Sequence, residues 1–295
     1  MDKLSGITAF VKTAELGSFV AASRVLEISA SAVGKAVVRL ERQLGVRLLQ
    51  RSTRRVQPTD EGLLFLERCR QILDDLEDAQ AMLMQTTERP RGRLRVSAPI
   101  VSYHFLLPLI PDFCARHPEV QLDIDFNDRI VDLIDEGIDI AIRSGSLPDS
   151  RLVSRPLQAF RLLLCASPVY LARHGTPRTV RDLARHAGVR FRFPNSGKLQ
   201  EWPLPPAEAD AELRVGTALV CNNMEAVLGA TLRGLGIGCM PDFLVDRALA
   251  SGELVSVLGE RQGADGQFNA IWPSSRHLSP KVRVFVDHLS ERLGG

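Results

Sequence analysis

The chain has 295 residues, of which 45% are hydrophobic and 24% are charged. This length and composition exclude a single small domain and a mainly disordered protein, and they favour two or three compact units. The net charge of +2 is too small to identify, by itself, a protein that binds polyanions.

The charge is unevenly distributed along the chain. Residues 1–58 contain ten Lys or Arg against four Asp or Glu, residues 59–91 contain four against eight, and the remainder is balanced. A basic N-terminal end on a neutral body indicates a nucleic-acid contact confined to that end.

The five cysteines are odd in number, widely spaced and never arranged as Cys-x-x-Cys. We therefore expect a reducing compartment, no zinc or other metal, and no cofactor. No apolar run approaches the roughly 20 residues that span a bilayer, so we also expect no membrane partner and a cytoplasmic location.

Three helices are predicted in the basic end. Apolar residues at three- and four-residue steps predict a first helix over Leu4 to Ala14, ended by Gly17. Ser18 caps a second helix of about two turns, and Ser29 caps a third. The third helix has one apolar face, formed by Val33, Val37, Leu40 and Leu44.

An extended hairpin with a basic tip follows the third helix. The chain leaves the helix at Gly45, turns through Ser52 and Thr53, and returns through Val56. The tip carries Arg51, Arg54 and Arg55. An isolated arginine cluster could equally be a solvated surface, but three helices followed by a basic hairpin predict a DNA-binding wing whose arginines reach phosphates.

Dense motifs run through this N-terminal segment. They are Phe10-Val11-x-x-Ala14-Glu15-x-Gly17-Ser18-Phe19-x-Ala21-Ala22, Leu26-x-Ile28-Ser29-x-Ser31-Ala32-Val33, and Leu44-Gly45-Val46-Arg47-Leu48-Leu49-x-Arg51-x-Thr53-Arg54. Together they resemble the N-terminal domain of LysR-type transcriptional regulators. The resemblance implies an all-α winged helix-turn-helix domain that binds double-stranded DNA, followed by a long linker helix.

The third helix departs from the pattern common in that family. Many members carry Gln-Pro after the capping serine and a serine one turn later, where this chain has Ala30, Ser31 and Gly34. Direct readout would then rest on Ser31, Lys35 and Arg39, with alanine contacts to thymine methyl groups. We therefore expect DNA shape and bending to supply a larger share of specificity. The predicted DNA-binding residues are Ser18, Ser29, Ala30, Ser31, Ala32, Lys35, Arg39, Arg51, Thr53, Arg54 and Arg55.

A long helix is predicted next, capped by Thr59 and carrying Asp60 and Glu61 in its first turn. Its apolar positions alternate four- and three-residue steps, as in a coiled coil. They are Phe65, Cys69, Ile72, Leu76, Ala79 and Leu83. This face could pack on its own chain, but the resemblance implies a homodimer through this helix, and we expect the dimers to form a tetramer on a two-fold-related DNA site.

The rest of the chain alternates strands and helices, as in an open parallel sheet. Strands are predicted at residues 94–97, 120–126 and 138–143, with a short helix around Leu133. Ligands of such sheets bind beyond the carboxyl ends of the strands. The helix start after the first strand would present free backbone N–H groups from Ile100 to Tyr103, which suit an anion.

A second set of strands and helices follows, with strands predicted at residues 161–166, 189–193, 213–220, 237–240 and 268–272, and helices near Tyr170, at 223–233 and at 282–293. The motifs Asp139-Ile140-Ala141-Ile142-Arg143 and Gly234-x-Gly236-Ile237-x-x-Met240-Pro241 resemble the family's periplasmic-binding-protein-like effector domain. The resemblance implies two α/β lobes, with crossings near Phe160 and Phe268, that close on a small molecule. The predicted limits are 1–58 for the DNA-binding domain, 59–91 for the linker, and 92–295 for the effector domain, with lobe I at 92–161 and 268–295 and lobe II at 162–267.

Candidate effector-binding residues lie at these strand ends and helix starts. Arg143 fits an effector contact or a salt bridge equally well, and Asn222-Asn223 before a helix favours a cap over a ligand contact. Tyr103-His104 has no carboxylate or nucleophile at a recognisable spacing for acid–base chemistry. The candidate residues are Pro99, Ile100, Val101, Ser102, Arg143, Ser144, Asn222 and Asn223.

The sequence therefore predicts a LysR-type transcriptional regulator whose DNA binding or bending responds to a small-molecule effector, and not an enzyme. Residues 92–295 alone would also fit a solute-binding transport component. The basic N-terminal end and the absent signal peptide argue against that alternative. An enzyme of the same two-lobed form is the other alternative. No Ser/His/Asp, metal or cofactor pattern supports it, and the spacing Gly234-x-Gly236-x-Gly238 does not fit a dinucleotide site.

Overall fold

The computed structural model describes residues 3–51, 56–83, 90–130, 132–133, 135–145, 152–204, 215–259, 265–274 and 279–294. The chain divides into two units, Met1–Glu88 and Arg89–Gly295. Each unit has its own buried cores.

The first unit is a winged helix-turn-helix followed by a long helix, as predicted. Its helices are α1 (Lys3–Leu16), α2 (Phe19–Val25), α3 (Ala30–Leu44) and α4 (Asp60–Leu83), and its strands are β1 (Leu49–Arg51) and β2 (Val56–Pro58). The two strands pair antiparallel, with Arg51 opposite Val56.

Side-chain caps and positive backbone angles set the helix boundaries of the first unit. Ser18 Oγ accepts the Ala21 N–H at 3.2 Å, and Ser29 Oγ accepts the Ala32 N–H at 3.1 Å. These contacts satisfy amides that have no partner within a helix. Gly45 ends α3 in the left-handed region, at a φ of 72°, where a side chain would be strained.

The core of the first unit is formed by one face of each helix together with the wing. Its buried side chains include Phe10, Ala22, Val33, Val37, Leu48, Leu66 and Cys69. The wing approaches α4 so closely that a Cβ atom on Gly62 would lie 2.0 Å from the carbonyl oxygen of Leu48. Thr59 fixes the same junction, since its hydroxyl donates to Arg47 O at 2.8 Å and accepts the Gly62 N–H at 2.9 Å.

The predicted apolar seam of α4 divides into two parts. Phe65 packs against the core of the first unit and Cys69 is buried in it, so the alternative that this face packs on its own chain holds there. Burial raises the pKa of the Cys69 thiol to about 11. Ile72 is 50% exposed and Leu76 is 36% exposed, so the seam is uncovered at these two positions, whereas the side chains of Ala79 and Leu83 lie outside those described.

In its described residues, the second unit is built around a nine-stranded sheet. Its strands are β3 (Gly92–Ala98), β4 (Val120–Phe126), β5 (Ile140–Ser144), β6 (Leu152–Ala166), β7 (Ala187–Phe191), β8 (Gly216–Cys221), β9 (Ile237–Pro241), β10 (Val255–Ser256) and β11 (Asp265–Pro273). Its α-helices are α5 (Tyr103–Leu106), α6 (Ile110–Arg116), α7 (Pro168–His174), α8 (Met224–Leu232), α9 (Asp242–Ala250) and α10 (Pro280–Leu293).

The strand order is β4-β3-β5-β11-β6-β9-β7-β8, with β10 beside β6. The pairs of β3 with β4 and β5, and of β7 with β8 and β9, are parallel, as the alternation of strands and helices predicts. Strands β11 and β6 run antiparallel to their neighbours.

Strand β6 passes through both halves of the sheet. Its residues from Leu152 to Arg161 pair with β11, and those from Leu162 to Cys165 pair with β9. We call the half with β3, β4, β5 and β11, together with α5, α6 and α10, the first lobe. We call the half with β7 to β10, together with α7 to α9, the second lobe.

The two lobes have separate cores that meet at a few side chains. Leu94, Ile140, Phe113 and Phe285 are buried in the first lobe, whereas the second lobe has a core on each face of its sheet. Val101 and Phe243 pack against cores of both lobes. The junction is thus formed by apolar side chains from one segment of each lobe.

Several predicted details of the second unit are wrong. In place of a short helix around Leu133, the described residues form a turn that Ile138 N–H closes by donating to Leu133 O at 2.9 Å. The helical stretch after Pro99 is divided into short α and 3-10 segments. Helix α9 and the 3-10 helix Val180–Arg185 were not predicted. Among the described residues, no helix is both long and apolar enough to cross a membrane.

Candidate DNA-binding surface and effector cleft

The outward face of α3 carries the residues predicted to read DNA. Ser31, Lys35 and Arg39 are exposed at four-residue steps, opposite the buried Val33 and Val37. Ala30 and Ala32 lie half-buried in the first turn. The helix therefore presents two cations and a hydroxyl to solvent on one side, while its other side packs into the core.

The wing residues are positioned from both ends of the hairpin. Arg51 is the last residue of β1, and Val56 N–H donates to Gly17 O at 3.3 Å, which ties the returning strand to the turn before Ser18. Thr53, Arg54 and Arg55 lie outside the described residues. Their predicted contacts with phosphates stay predictions.

Glu41 fixes the start of the wing, a role that the sequence analysis missed. Its Oε1 accepts the N–H groups of Leu48 and Leu49 at 2.9 and 3.1 Å. A groove of about 550 Å³ runs beside this contact, lined by Val38, Glu41, Arg42, Gly45, Val46, Arg47 and Leu49. Arg42 and Arg47 are exposed there and extend the basic surface beyond Arg39.

Helix α3 carries more cations than carboxylates. Lys35, Arg39 and Arg42 are exposed on it, against one acidic residue, Glu41. Glu15 of α1 is bound by Lys12 and by Arg70 of α4, at 3.1 and 3.0 Å. Positive charge on a helix suits the phosphate backbone of a nucleic acid.

The candidate effector residues cluster at the carboxyl ends of strands in the second unit. Pro99 to Ser102 follow β3, Arg143 and Ser144 end β5, and Asn222 and Asn223 follow β8. Ser102 is buried, and its hydroxyl donates to Pro99 O at 2.6 Å. Asn223 caps α8 by accepting the Ala226 N–H at 3.0 Å, as the cap interpretation predicts.

The predicted free N–H groups after β3 are used within the chain. Ile100 N–H donates to Asp128 Oδ1 at 3.1 Å, Ser102 N–H donates to Pro99 O at 3.0 Å, and the Tyr103 N–H is bonded within the 3-10 turn. This part of the prediction is wrong, because a tight 3-10 turn and a carboxylate 28 residues later take these donors.

Arg143 is bound to groups of its own lobe. Its Nη1 donates to Ser97 O and Ile142 O at 3.1 and 2.7 Å, and its Nη2 donates to Ser97 Oγ and Arg129 O at 2.8 and 2.9 Å. Burial lowers the pKa of this guanidinium, against the opposing attraction of Asp128 and Asp125. Arg143 therefore ties the ends of β3 and β5 to the loop after β4.

Two side chains of the second lobe, Glu225 and Asn195, make polar contacts with the first lobe in this region. Glu225 of α8 has its Oε1 2.7 Å from His104 Nε2, and it accepts the Tyr103 hydroxyl at 3.3 Å. Asn195 of the second lobe accepts the Ile130 N–H at 2.8 Å and donates to Asp128 O at 3.0 Å. Among the described residues, no cluster of His, Cys, Asp and Glu could hold a metal ion.

Comparison with known proteins agrees with both halves of this description. The family model for the bacterial regulatory helix-turn-helix protein, lysR family, matches residues 4–63, and the model for the LysR substrate binding domain matches residues 87–294. The chain belongs to the LysR family of transcriptional regulators.

The relatives of this LysR-type regulator match it over nearly its whole length. An uncharacterized HTH-type transcriptional regulator from Haemophilus influenzae is 36% identical over 283 residues, which cover 96% of this chain and 98% of the relative. The regulator CrgA from Neisseria meningitidis serogroup C is 37% identical over 290 residues, covering 98% and 96%. The solved structure of CrgA from Neisseria meningitidis has a TM-score of 0.62 at 35% identity and covers 98% of both chains. Each of these proteins is named as a transcriptional regulator.

The interlobe residues of this LysR-type regulator could not be found by spacing. Glu225 lies 121 residues from His104, and Asn195 lies 65 residues from Ile130. A carboxylate in the first turn of a helix predicts a favourable interaction with the helix dipole, and an Asn in a polar turn predicts a role in forming that turn. Only the three-dimensional path of the chain brings them to the opposite lobe.

Proposed function

We propose that the outward face of α3 enters the major groove of a two-fold-related DNA site, and that the wing contacts the flanking phosphates. The observation that carries this proposal is the exposed row Ser31, Lys35 and Arg39, opposite a buried face on the same helix. Two cations on a helix that protrudes from a small domain suit base edges and phosphates. Ala30 and Ala32 are the apolar contacts, and Ser18 and Ser29 orient the two helices.

A binding titration with the DNA just upstream of the chain's own gene tests this function. Lys35→Ala and Arg39→Ala should each weaken binding to that duplex by about tenfold. Lys198→Ala is the matched control, because it removes an exposed cation from the second unit. Binding that is unchanged in both α3 variants, or equally weakened in Lys198→Ala, would contradict a reading role for this face.

We propose that α4 forms a homodimer and that dimers associate into a tetramer on DNA. The uncovered side chains of Ile72 and Leu76 support this, because a stripe of large apolar residues on a polar helix is typical of an interface. Ile72→Glu should shift the sedimenting species towards monomer. Leu64→Glu, at a residue 76% exposed away from that stripe, is the control.

We propose that a small anionic effector binds between the lobes, at the ends of β3, β5 and β8, and changes DNA binding or bending. Ser144 and Asn222 are exposed at these ends, which supports their contact with a ligand. Ser144→Ala with Asn222→Ala should leave ligand-free DNA affinity unchanged and abolish the response to metabolites of neighbouring genes. A double variant that still responds would exclude these two residues as effector contacts.

The proposed organisation retains the predicted limits, 1–58, 59–91 and 92–295, with lobe I at 92–161 and 268–295 and lobe II at 162–267. The pairing of β6 with β11 up to Arg161 and with β9 from Leu162 supports the first lobe limit. A cytoplasmic location is proposed because a regulator of transcription must reach DNA.

A further inference from the structure

The loop after β4 is held in place by both lobes. In the first lobe, the Asp128 carboxylate accepts the Ile100 N–H at 3.1 Å, and Arg143 Nη2 donates to Arg129 O at 2.9 Å. From the second lobe, Asn195 binds Asp128 O and the Ile130 N–H, at 3.0 and 2.8 Å. Asp128 is thus bound by both lobes, Arg129 by the first lobe and Ile130 by the second.

We infer that the Asp128 carboxylate occupies, in the ligand-free chain, the position that the negative group of an effector takes, and that displacing it releases the Asn195 bridge between the lobes. This inference rests on the anionic effector proposed above. The inference adds two residues to that proposal. Asp128 competes with the effector for the site, and Asn195 links the site to the second lobe.

The chemistry at the ends of β3 and β5 supports a competitor. Ile100 N–H and the Arg143 guanidinium are the groups there that would attract an anion, and Asp128 already bonds the first and attracts the second. A second carboxylate cannot enter beside Asp128 without like-charge repulsion in a partly buried place. An anion must therefore replace Asp128 rather than join it.

Asp128 is also a carboxylate that can leave. Burial raises its pKa, against the bond from Ile100 and the attraction of Arg143, because the charged carboxylate is partly desolvated there, and departure into water relieves that desolvation. The route to the second lobe runs through the backbone of the same residue, because the Asp128 carbonyl oxygen is one of the two groups that Asn195 binds. Exchange of one anion for another in the first lobe is thereby coupled to a contact of the second lobe.

Anion affinity in the full-length protein tests the competition. We would measure the binding of benzoate and of its neutral analogue benzamide by thermal shift, in the wild type and in Asp128→Ala and Asp128→Asn. Both variants should bind benzoate about tenfold more tightly than the wild type, with benzamide unchanged. Asp125→Asn is the matched control, because it removes a neighbouring carboxylate that attracts Arg143 but does not bond Ile100.

The competition between Asp128 and the anion is overturned if the Asp128 variants bind benzoate no more tightly than the wild type does. It is also overturned if no variant binds benzoate. Equal gains in Asp125→Asn would also overturn it, because the effect would then be one of general charge.

Amide hydrogen exchange tests the coupling. Asp128→Ala should raise the exchange rates of the Ile100 and Ile130 amides by about tenfold, and Asn195→Ala should raise that of Ile130 alone. An Ile130 amide that stays equally protected in Asp128→Ala would overturn the coupling. Benzoate binding by the wild type separates this failure from failure of the proposed effector site, since a wild type that binds benzoate keeps the site and loses only the coupling.

Discussion

The two units of this LysR-type regulator place their functional residues by different means. In the first unit, the candidate DNA-reading residues share one 15-residue helix, and its cap is a serine three residues from the amide it binds. In the second unit, Arg143 binds Ser97 across 46 residues, and Glu225 meets His104 across 121. A site on one helix follows from local periodicity, whereas a site at strand ends depends on the path of the whole chain.

The largest expected effect comes from breaking the close approach in the first unit. In Gly62→Ala the new methyl group would overlap the Leu48 carbonyl, 2.0 Å away, so the wing and α4 must separate. We expect a loss of about 3 kcal/mol in the free energy of unfolding of the first unit. Amide hydrogen exchange in α1 and α3 measures it, and exchange in the second unit should not change.

Gly34→Ala is the matched control, because nothing lies within 4 Å of the added methyl group. Replacing a glycine inside a helix should stabilise the first unit by about 1 kcal/mol. If Gly62→Ala were as stable as Gly34→Ala, the described junction between the wing and α4 would be wrong. Gly236→Ala places a Cβ atom 2.3 Å from Ala187 O in the second unit. This variant should lower the free energy of unfolding of the second unit and leave that of the first unit unchanged.

The next effect sharpens the role of Glu41 in positioning the wing. Glu41→Ala leaves the Leu48 and Leu49 amides without their side-chain acceptor, and we expect a loss of about 2 kcal/mol of unfolding free energy. DNA affinity should fall with it, because the wing loses its fixed start. Glu41→Gln, which keeps one acceptor oxygen, should recover most of both quantities. A Glu41→Gln variant as weak as Glu41→Ala would contradict a hydrogen-bonding role.

Much of the first unit could be predicted from its sequence. The steps between apolar residues, the two serine caps and Gly45 each mark a boundary that depends on neighbours within one or two turns. The seam of α4 is predicted as one intersubunit face, but Cys69, which fits a coiled-coil position, is buried in the core of its own unit, and the intersubunit role of the exposed positions stays a prediction. Burial at such a position depends on which surface packs against it, and the spacing of apolar residues along one helix does not indicate that surface.

The second unit was predicted at the level of its strands and not of its contacts. The strands with buried apolar runs, such as β5 and β9, were found, because such runs carry a strong signal. The continuity of β6 from Leu152 to Ala166 was missed, since half of its early positions are exposed and only pairing with β11 makes them a strand. The acceptor of the Ile100 amide was missed for the same reason, as Asp128 belongs to a different loop.

A smaller effect measures how strongly one distant pair joins the lobes. A double-mutant cycle of His104→Ala and Glu225→Ala should give a coupling energy of about 0.5–1 kcal/mol for the unfolding of the second unit, because both side chains are about one-third exposed. Arg116→Ala with Asp112→Ala provides a comparison cycle on an exposed pair within α6. Coupling at the His104 pair no larger than at this pair would mean that the interlobe contact adds nothing beyond a surface ion pair.

The smallest effect concerns pH and His186 of the second lobe. Its Nδ1 lies 3.2 Å from the Tyr170 hydroxyl, which also accepts the Ala187 N–H at 2.8 Å, so the neutral ring completes a buried chain of hydrogen bonds. Burial lowers the pKa of His186, with a further contribution from His174.

A histidine with a lowered pKa in the folded state binds its proton more readily after unfolding. The second unit should therefore lose stability as the pH falls below the ordinary histidine pKa, about 6.5. His186→Asn should flatten that slope in unfolding titrations at pH 7, 6 and 5, and part of it should remain, because burial also lowers the pKa of His288 in the first lobe. An unchanged slope in His186→Asn would show that this ring is protonated equally easily in both states, contrary to its described surroundings.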